Sequence, residues 1–270
     1  MKLAYPIATP EVRSPILGVQ GDPEHTLPAL RDAGYEGVEP FVADPTKFDV
    51  EVWARLVERN GLQIAAIGTG PVVSDDKLTF THCNESVRRA ALARAKDVVR
   101  LAARLGAQVN IGKLRGEILP EREAETRCWM RVAFTEMCEF AAAEKVTVTL
   151  EPQNRTIINN LNTTDQALSW LRELALPNLR LMLDVFHMAH EGEAFAASFE
   201  TARDVLYHVH YADTERRVPG DGRLPFAAFT AALRAVGYDR FVTVEIKQEP
   251  DALTAARRSA EYLRPLLSQS

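Results

Sequence analysis

The feature that most constrains the fold is a regular alternation of short apolar runs with helical stretches along all 270 residues. The later runs are continuously hydrophobic, which is typical of parallel strands buried on both faces. Strict alternation of strand and helix favours right-handed crossovers and a parallel sheet. Eight strands are predicted: Lys2–Ile7, Gly37–Phe41, Leu62–Ile67, Gln108–Ile111, Val146–Leu150, Leu179–Leu183, Leu206–His210 and Phe241–Val244.

Helices are predicted between the strands, and several stop at a glycine. The first has Asp22 as its cap and Gly34 as its stop, and a long loop is expected over Pro71–Cys83. The predicted helices are Pro23–Ala33, Val50–Arg59, Glu85–Leu105, Glu121–Lys145, Thr164–Leu174, Phe195–Asp204, Phe226–Val236 and Leu253–Leu267.

Eight such units predict a single (β/α)₈ TIM barrel over residues 1–270, an ordinary length for that fold. A doubly wound open sheet is the alternative. It is disfavoured because no G-x-G-x-x-G follows the first strand. Active sites of TIM barrels lie at the C-terminal ends of the strands, so functional side chains are expected at those ends.

Charge and cysteine content narrow the class of protein. The net charge is −5 with no basic block, which disfavours nucleic acid or an anionic membrane as the main partner. The three cysteines show no C-x-x-C spacing and are expected to be free thiols in a reducing cytoplasm. Neither a signal peptide nor a transmembrane helix is expected from the apolar runs. A cytoplasmic enzyme is therefore predicted.

The last four predicted strands end in metal-binding side chains, which are Glu151, Asp184, His210 and Glu245. A single acid at a strand end is usually a helix cap or a solvated charge. Four such residues at successive strand ends predict a metal site at the barrel mouth. Carboxylates with one imidazole suit Mn²⁺, Mg²⁺ or a related ion, and no thiolate is placed to favour a soft metal.

This set of side chains predicts proton-transfer chemistry. A metal that holds two neighbouring oxygens of a hydroxy-ketone polarises the carbonyl and acidifies the adjacent C–H. Glu151 and Glu245, three strands apart, are predicted to flank the substrate. If one carboxylate removes a proton and the other returns it on the opposite face, a carbon centre is inverted.

Several motifs occur in order over nearly the whole chain. They are AAIGTG at Ala65–Gly70, LTFTHCNESVRRAA at Leu78–Ala91, GAQVNIGKLRG at Gly106–Gly116, LEPQNR at Leu150–Arg155, LDVFHM at Leu183–Met188, HVHYAD at His208–Asp213, PGDG at Pro219–Gly222 and VTVEI at Val242–Ile246. The sequence thereby resembles the xylose isomerase-like barrel superfamily. Within it, the chain is most similar to ketose 3-epimerases and keto-hexonate epimerases of the tagatose 3-epimerase type. The IGTG, THCNE and RG pieces resemble the 5-keto-L-gluconate epimerase branch.

The resemblance implies a metal site on the same four residues, with Glu151 and Glu245 as the acid/base pair. It implies that His187 and Arg216 bind substrate and stabilise negative charge on the enediolate oxygens. The expected cofactor is Mn²⁺, with Mg²⁺ or Co²⁺ as alternatives. The expected partners are a small sugar substrate and further copies of the chain in a homodimer or homotetramer.

One position departs from the family pattern. Epimerases of this type commonly carry a substrate-contacting Glu six residues after the first metal-binding Glu, and here that position is Ile157. The metal and proton-transfer residues are unaffected, so the departure bears on substrate identity.

Other functions fit the same resemblance. An aldose–ketose isomerase, including one of hydroxypyruvate type, would return the proton to a different carbon, and an inosose-type dehydratase is a further alternative. The endonuclease branch that cleaves abasic DNA needs more histidine ligands and a basic surface, so it is disfavoured. A non-catalytic sugar-binding barrel would be expected to have lost at least one of the four ligands.

A few residues near the predicted mouth have two interpretations. His208 is expected to lie deeper than His210 and to act as a core or hydrogen-bonding residue, since both point to one face of a strand. Glu39 is either a pocket residue or a structural charge. Lys113 and Arg115 would suit an acidic sugar, although exposed basic residues are common.

Overall fold

In a computed structural model, which describes residues 1–268, nine strands form one parallel sheet. The strands are β1 (Lys2–Ala8), β2 (Gly37–Phe41), β3 (Gln63–Ile64), β4 (Ile67–Gly68), β5 (Val109–Ile111), β6 (Val148–Leu150), β7 (Leu179–Asp184), β8 (Leu206–Tyr211) and β9 (Phe241–Val244). β1 pairs with both β2 and β9, which closes the sheet into a barrel. β3 and β4 both pair with β2 and are two parts of one barrel strand. The predicted TIM barrel is therefore confirmed.

The helices of the described chain surround this barrel. They are α1 (Pro23–Ala33), α2 (Val50–Arg59), α3 (Gly70–Asp76), α4 (Glu85–Leu105), α5 (Glu123–Ala143), α6 (Thr164–Leu174), α7 (Val185–Glu191), α8 (Phe195–Ala202), α9 (Phe226–Ala235) and α10 (Ala252–Ser268). α1, α2, α4 and α6 begin and end at the predicted residues. In α1, the Asp22 side chain accepts from Glu24 N and Gly34 ends the helix at φ +96°, as predicted.

Two short helices near the mouth were missing from the prediction. The expected loop over Pro71–Cys83 was wrong in its first part, because it contains most of α3. α7 follows β7 without a loop, and Asp184 is both the last strand residue and the helix N-cap, accepting from Phe186 N at 2.8 Å. Seven-residue helices span two turns, so they carry little 3.6-residue periodicity for a sequence argument to detect.

Polar side chains occupy part of the barrel interior. Glu39, Thr149, His208 and Thr243 are completely buried on β2, β6, β8 and β9. Buried polar groups need hydrogen-bond partners, and each of these has one on another strand of the barrel. They lie beneath the mouth and connect the core to the site above it. No helix in residues 1–268 combines the length and apolarity needed to cross a membrane.

Candidate active site

The four predicted metal-binding residues meet at the C-terminal mouth of the barrel. Glu151 follows β6, Asp184 ends β7, His210 lies in β8 and Glu245 follows β9. The parallel register pairs Asp184 with His210, and His210 with Thr243. One side-chain ligand atom from each of Asp184, His210 and Glu245 lies within 4.8 Å of the others, and Glu151 forms a similar group with Asp184 and His187. All six predicted site residues therefore lie close together, since Arg216 contacts two of these carboxylates.

The donor atoms of this cluster suit a divalent cation. Asp184 Oδ2 and His210 Nδ1 are buried and have no hydrogen-bond partner among the described residues. The Asp184 oxygen lies 2.7 Å from Arg216 Nη1 without hydrogen-bond alignment, and His210 Nδ1 lies 3.7 Å from Glu245 Oε2. Buried lone pairs are costly unless they bind a proton or a metal. Oxygen donors with one imidazole are a set that Mn²⁺ and Mg²⁺ accept.

The two candidate acid/base carboxylates have opposite pKa shifts. Burial raises the pKa of Glu151 to about 8, and the negative charge of Glu245 adds to this rise. Burial acts in the same direction on Glu245, but Arg216 and His210 outweigh it and lower the pKa of that carboxyl. Without a bound cation, the cluster therefore favours a protonated Glu151 beside an ionised Glu245. Such a pair can donate a proton on one side and accept one on the other.

We expect the metal-free protein to lose stability as pH rises, and Glu151→Gln to reduce that loss. The pKa of Glu151 is about 8 when folded and near its ordinary 4.5 when unfolded, so the folded state holds the extra proton between these values. The stabilisation is complete below pH 4.5 and disappears as pH rises through about 8, with a slope of up to about 1.4 kcal/mol per pH unit. Urea unfolding of the wild type and of Glu151→Gln in EDTA measures the free energy of unfolding at each pH. If that free energy depends on pH in the same way for both proteins, Glu151 does not cause the loss of stability.

His210 is oriented by Glu39, a residue whose role the sequence left open. Glu39 is completely buried, and its Oε2 lies 2.9 Å from Nε2 of both His210 and His208. Asn110 donates to the other oxygen at 2.7 Å. Burial would raise the pKa of Glu39, but His210 and His208 hold it well below its usual range. The carboxylate thus accepts a hydrogen bond from Nε2–H of His210 and leaves Nδ1 facing the site. His208 lies deeper than His210, as predicted.

Glu39→Gln should weaken Mn²⁺ binding by about 10- to 100-fold, the usual effect of removing a partner that orients a metal-binding histidine. The amide cannot accept from both histidines and from Asn110, so His210 loses its fixed tautomer. Isothermal titration of the metal-free protein measures the affinity directly. Glu36→Gln is the matched control because Glu36 lies just before the same strand and is exposed. Equal affinities for the two variants would exclude this role for Glu39.

His187 and Arg216 present nitrogen donors to the same space. Asn154 Nδ2 lies 2.8 Å from His187 Nδ1, and the Asn154 oxygen accepts from Thr156 N, which fixes the amide orientation. His187 Nδ1 is thus an acceptor, and Nε2 carries the proton. Burial lowers the pKa of His187 and Arg216 lowers it further, so the ring is neutral. Nε2 lies 3.6 Å from Glu151 Oε1 and 3.1 Å from Arg216 Nη2.

The loop that carries Arg216 is organised by one buried carboxylate. Asp213 accepts hydrogen bonds at 2.7–3.0 Å from the backbone N–H groups of Thr214, Gly220, Gly222, Arg223 and Leu224. This explains the PGDG motif, since a Cβ on Gly222 would lie 2.2 Å from Asp213 Oδ1. Glu215 and Arg216 have φ near +60°, which is strained for residues with side chains. The contacts of Asp213 hold this strained turn in place.

Arg115 supports Glu151 from behind and does not reach the cavity. Its side chain is completely buried and donates to the carbonyls of Gly112 and Glu151 at 2.9 Å, and to Asn160. Burial lowers the pKa of Arg115 to about 10, and nearby Glu151 opposes that shift. The interpretation of Arg115 as a residue that binds an acidic sugar is therefore wrong. Lys113 is exposed at the cavity edge.

Gly112→Ala should lower kcat by about 10- to 100-fold by displacing the Glu151 carboxylate. A Cβ at residue 112 would lie 2.6 Å from Glu151 Oε2 and 2.7 Å from Gln153 Nε2. The carboxylate is the mobile end of a side chain, so it moves while the backbone stays, and small misplacements of a reacting group cost about 10²-fold. Glu139→Ala, at an exposed position of α5, is the control. Similar rates for both variants would contradict the prediction.

The site opens into a cavity of about 470 Å³. Glu39, Glu151, His187, His210, Arg216 and Glu245 line its inner end. Its outer wall is largely apolar and includes Leu17, Phe41, Val73 and Ile157. Ile157 is thus at the mouth, at the position where the resemblance predicts an acid. A cavity of this size with few convergent polar groups is typical of a small-molecule site.

Comparison with known proteins places these features in a family. A family described as the xylose isomerase-like TIM barrel matches residues 27–266. L-ribulose 3-epimerase of Mesorhizobium japonicum is 32% identical, covering 81% of this chain and 73% of the relative. 3-dehydro-D-guloside 4-epimerase of Escherichia coli is 37% identical over 47% of this chain and 48% of the relative.

The comparison with solved structures indicates the same fold. The crystal structure of D-psicose 3-epimerase from Clostridium cellulolyticum superimposes with a TM-score of 0.82 at 19% identity, and each chain is fully covered. At that identity the likeness shows the fold alone, whereas the family match extends over most of the sequence. The chain therefore belongs to the xylose isomerase-like TIM barrel family, and it is an enzyme of the isomerase class.

Proposed function

We propose that this enzyme is a divalent-metal-dependent epimerase of a keto sugar, with ketoses and keto-sugar acids as the first candidate substrates. The observation that carries the proposal is the pair Glu151 and Glu245 on one cavity, with Asp184 and His210 placed beside them so that the ligand atoms of Asp184, His210 and Glu245 lie within 4.8 Å of one another. The curated relatives named above are sugar epimerases, which supports the reaction class.

Glu151, Asp184, His210 and Glu245 would hold the metal, with Mn²⁺ as the first candidate and Mg²⁺ or Co²⁺ as alternatives. When bound, a divalent cation would polarise the substrate carbonyl and acidify the adjacent C–H. Glu245, whose ionised form is stabilised by Arg216 Nη1 at 2.9 Å, would remove the proton from the carbon beside the carbonyl. Glu151, as its carboxylic acid, would return a proton on the opposite face. In the reverse reaction the two exchange roles.

His187 and Arg216 would stabilise the enediolate oxygens. Both present N–H groups to one point, and their nitrogens are 3.1 Å apart. Two donors at this distance repel each other unless they share an acceptor, and an oxygen that gains negative charge in the reaction is such an acceptor. Arg216 also neutralises part of the carboxylate cluster through its contacts with Asp184 and Glu245.

The decisive experiment is solvent deuterium exchange with the Mn²⁺-loaded enzyme. Candidate ketoses and keto-hexonates are incubated in deuterated water, and deuterium is located by NMR. Deuterium at the carbon beside the carbonyl, together with formation of the epimer, is expected. An aldose product would instead identify an aldose–ketose isomerase. Absence of exchange with every candidate in the presence of metal would overturn the proton-transfer proposal. Light scattering of the same sample tests the expected homodimer or homotetramer.

A further inference from the structure

One polar side chain on the wall of the active-site cavity neither belongs to the proposed metal site nor transfers a proton. Gln153 follows Glu151 by two residues and is 8% exposed. Its Nε2 lies 2.7 Å from Glu151 Oε2, and its Oε1 has no hydrogen-bond partner in residues 1–268. An ionised carboxylate can only accept hydrogen bonds, so the amide nitrogen donates to Glu151 and the amide oxygen is left free. A buried acceptor without a partner is costly, which points to a donor that a ligand supplies.

The position of this amide is fixed by its surroundings. Asn162 Nδ2 donates to the backbone oxygen of Gln153 at 2.7 Å and to that of Ile158 at 2.6 Å, which holds the turn after β6. The amide also packs closely on Gly112, where a Cβ would lie 2.7 Å from Gln153 Nε2. Since the backbone and the amide nitrogen are both held, Oε1 needs little further ordering when a ligand binds.

Other polar side chains on the cavity wall are already engaged. Thr69 Oγ1 donates to Asn110 O at 2.7 Å, and both ends of the Asn110 amide bond to other strands. Lys77 Nζ donates to Ser74 O, and the Ser74 hydroxyl shares a hydrogen bond of 2.6 Å with a second serine. Outside the six predicted site residues, and within residues 1–268, Gln153 Oε1 is therefore the buried acceptor on this wall that is free to bind a substrate hydroxyl.

We propose that Gln153 is a specificity-determining residue that binds the substrate hydroxyl on the carbon that follows the reacting carbon, on the side away from the carbonyl. The inference rests on the proposed epimerase function and deepens it. The oxygens of the carbonyl and of the reacting carbon become the enediolate oxygens, to which His187 and Arg216 are assigned. Gln153 contacts Glu151, which returns the proton to the reacting carbon, so the nearest hydroxyl still without a partner is on the following carbon. That hydroxyl donates to Oε1 while Nε2 keeps the Glu151 carboxylate in place.

The first test uses the wild-type enzyme loaded with Mn²⁺ and three probes. They are the candidate keto sugar that exchanges deuterium fastest, its analogue without the hydroxyl on the following carbon, and its analogue without the hydroxyl farthest from the carbonyl. For a 2-ketohexose these analogues are the 4-deoxy and 6-deoxy sugars. Loss of the hydroxyl on the following carbon should lower kcat/KM by about 10- to 100-fold more than loss of the distant one, because it leaves a buried acceptor unpaired.

Gln153→Met tests whether this discrimination comes from the amide. Methionine has a similar length but no N–H donor and only a weak acceptor, so Glu151 loses its donor and kcat should fall for all three probes. The two deoxy analogues should then differ by no more than about twofold, as expected for groups that do not touch. Gln63→Met is the matched control, because Gln63 is exposed at the opposite end of the barrel, and it should keep the wild-type preference. Isothermal titration with Mn²⁺ checks that each variant is folded and binds metal.

The outcomes separate the inference from the function on which it rests. Equal kcat/KM for the two deoxy analogues with the wild type would overturn the inference, whether or not Gln153→Met folds, and would mean that Oε1 binds only water. A preference that persists in Gln153→Met would also overturn it, while leaving the epimerase proposal intact. A lack of exchange with every candidate ketose and keto-hexonate in the presence of metal would overturn both.

Discussion

Glu245→Gln is expected to lower kcat by about 10²- to 10⁴-fold, the usual contribution of a positioned general base. The amide keeps an oxygen for metal binding but cannot take a proton. Glu245 is the carboxylate with the lowered pKa, held 2.9 Å from Arg216 Nη1, so its ionised form is the one that the site stabilises. The measurement is steady-state turnover at saturating Mn²⁺, with metal occupancy checked by isothermal titration.

The companion variant Glu151→Gln makes the test specific. In a two-base reaction each carboxylate abstracts the proton from one epimer only. Glu245→Gln should therefore block deuterium exchange into one epimer, and Glu151→Gln should block exchange into the other. Glu261→Gln, an exposed residue on α10, is the control and should react like the wild type. Full turnover by Glu245→Gln with metal bound would show that another group moves the proton.

Asp213→Asn should destabilise the fold by about 3–5 kcal/mol and lower turnover with it. Two N–H groups, of Gly220 and Gly222, donate to Oδ2 at 3.0 and 2.9 Å. An asparagine amide placed there is a donor, so these groups lose their partner inside the protein. Hydrogen bonds to a charged group contribute about 1.5–3 kcal/mol each. Chemical denaturation measures the loss, and kcat reports whether the Arg216 turn is still held.

Asp221→Asn provides the comparison within the same loop. The Asp221 side chain is 38% exposed and pairs with Arg258 at 2.7 Å on the surface. Exposed ion pairs contribute about 0–1 kcal/mol, so this variant should remain near wild-type stability. If both variants unfold at the same denaturant concentration, Asp213 does not organise the loop in the way its contacts indicate.

The barrel and the position of the site were predictable because both depend on local pattern. α4 follows from a run of 21 residues with one apolar face that ends at Gly106, and such a run is read without knowledge of its neighbours. Once eight strands alternate with helices, the C-terminal ends of all strands must lie at one mouth. The sequence alone therefore predicts that Glu151, Asp184, His210 and Glu245 lie together.

The supporting residues depend on distance in space and were not predictable. Glu39 contacts His208 and His210, which are 169 and 171 residues away along the chain. Arg115 looks like a surface cation in the sequence but is buried against the Glu151 carbonyl. No periodicity or spacing records such pairings, because they arise only when the barrel closes.

The sequence by itself determined the type of fold, the side chains at the strand ends and the class of chemistry. This is possible because, in a parallel barrel, the order of the strands along the chain decides which strand ends are neighbours in space. Only the tertiary structure decided that the metal-free site favours a proton on Glu151 over Glu245, since the opposite pKa shifts of these two groups arise from burial and from charges on other strands. It also placed Ile157 on the wall of the active-site cavity. The volume and lining of a cavity come from many segments at once, so no single stretch of sequence encodes them.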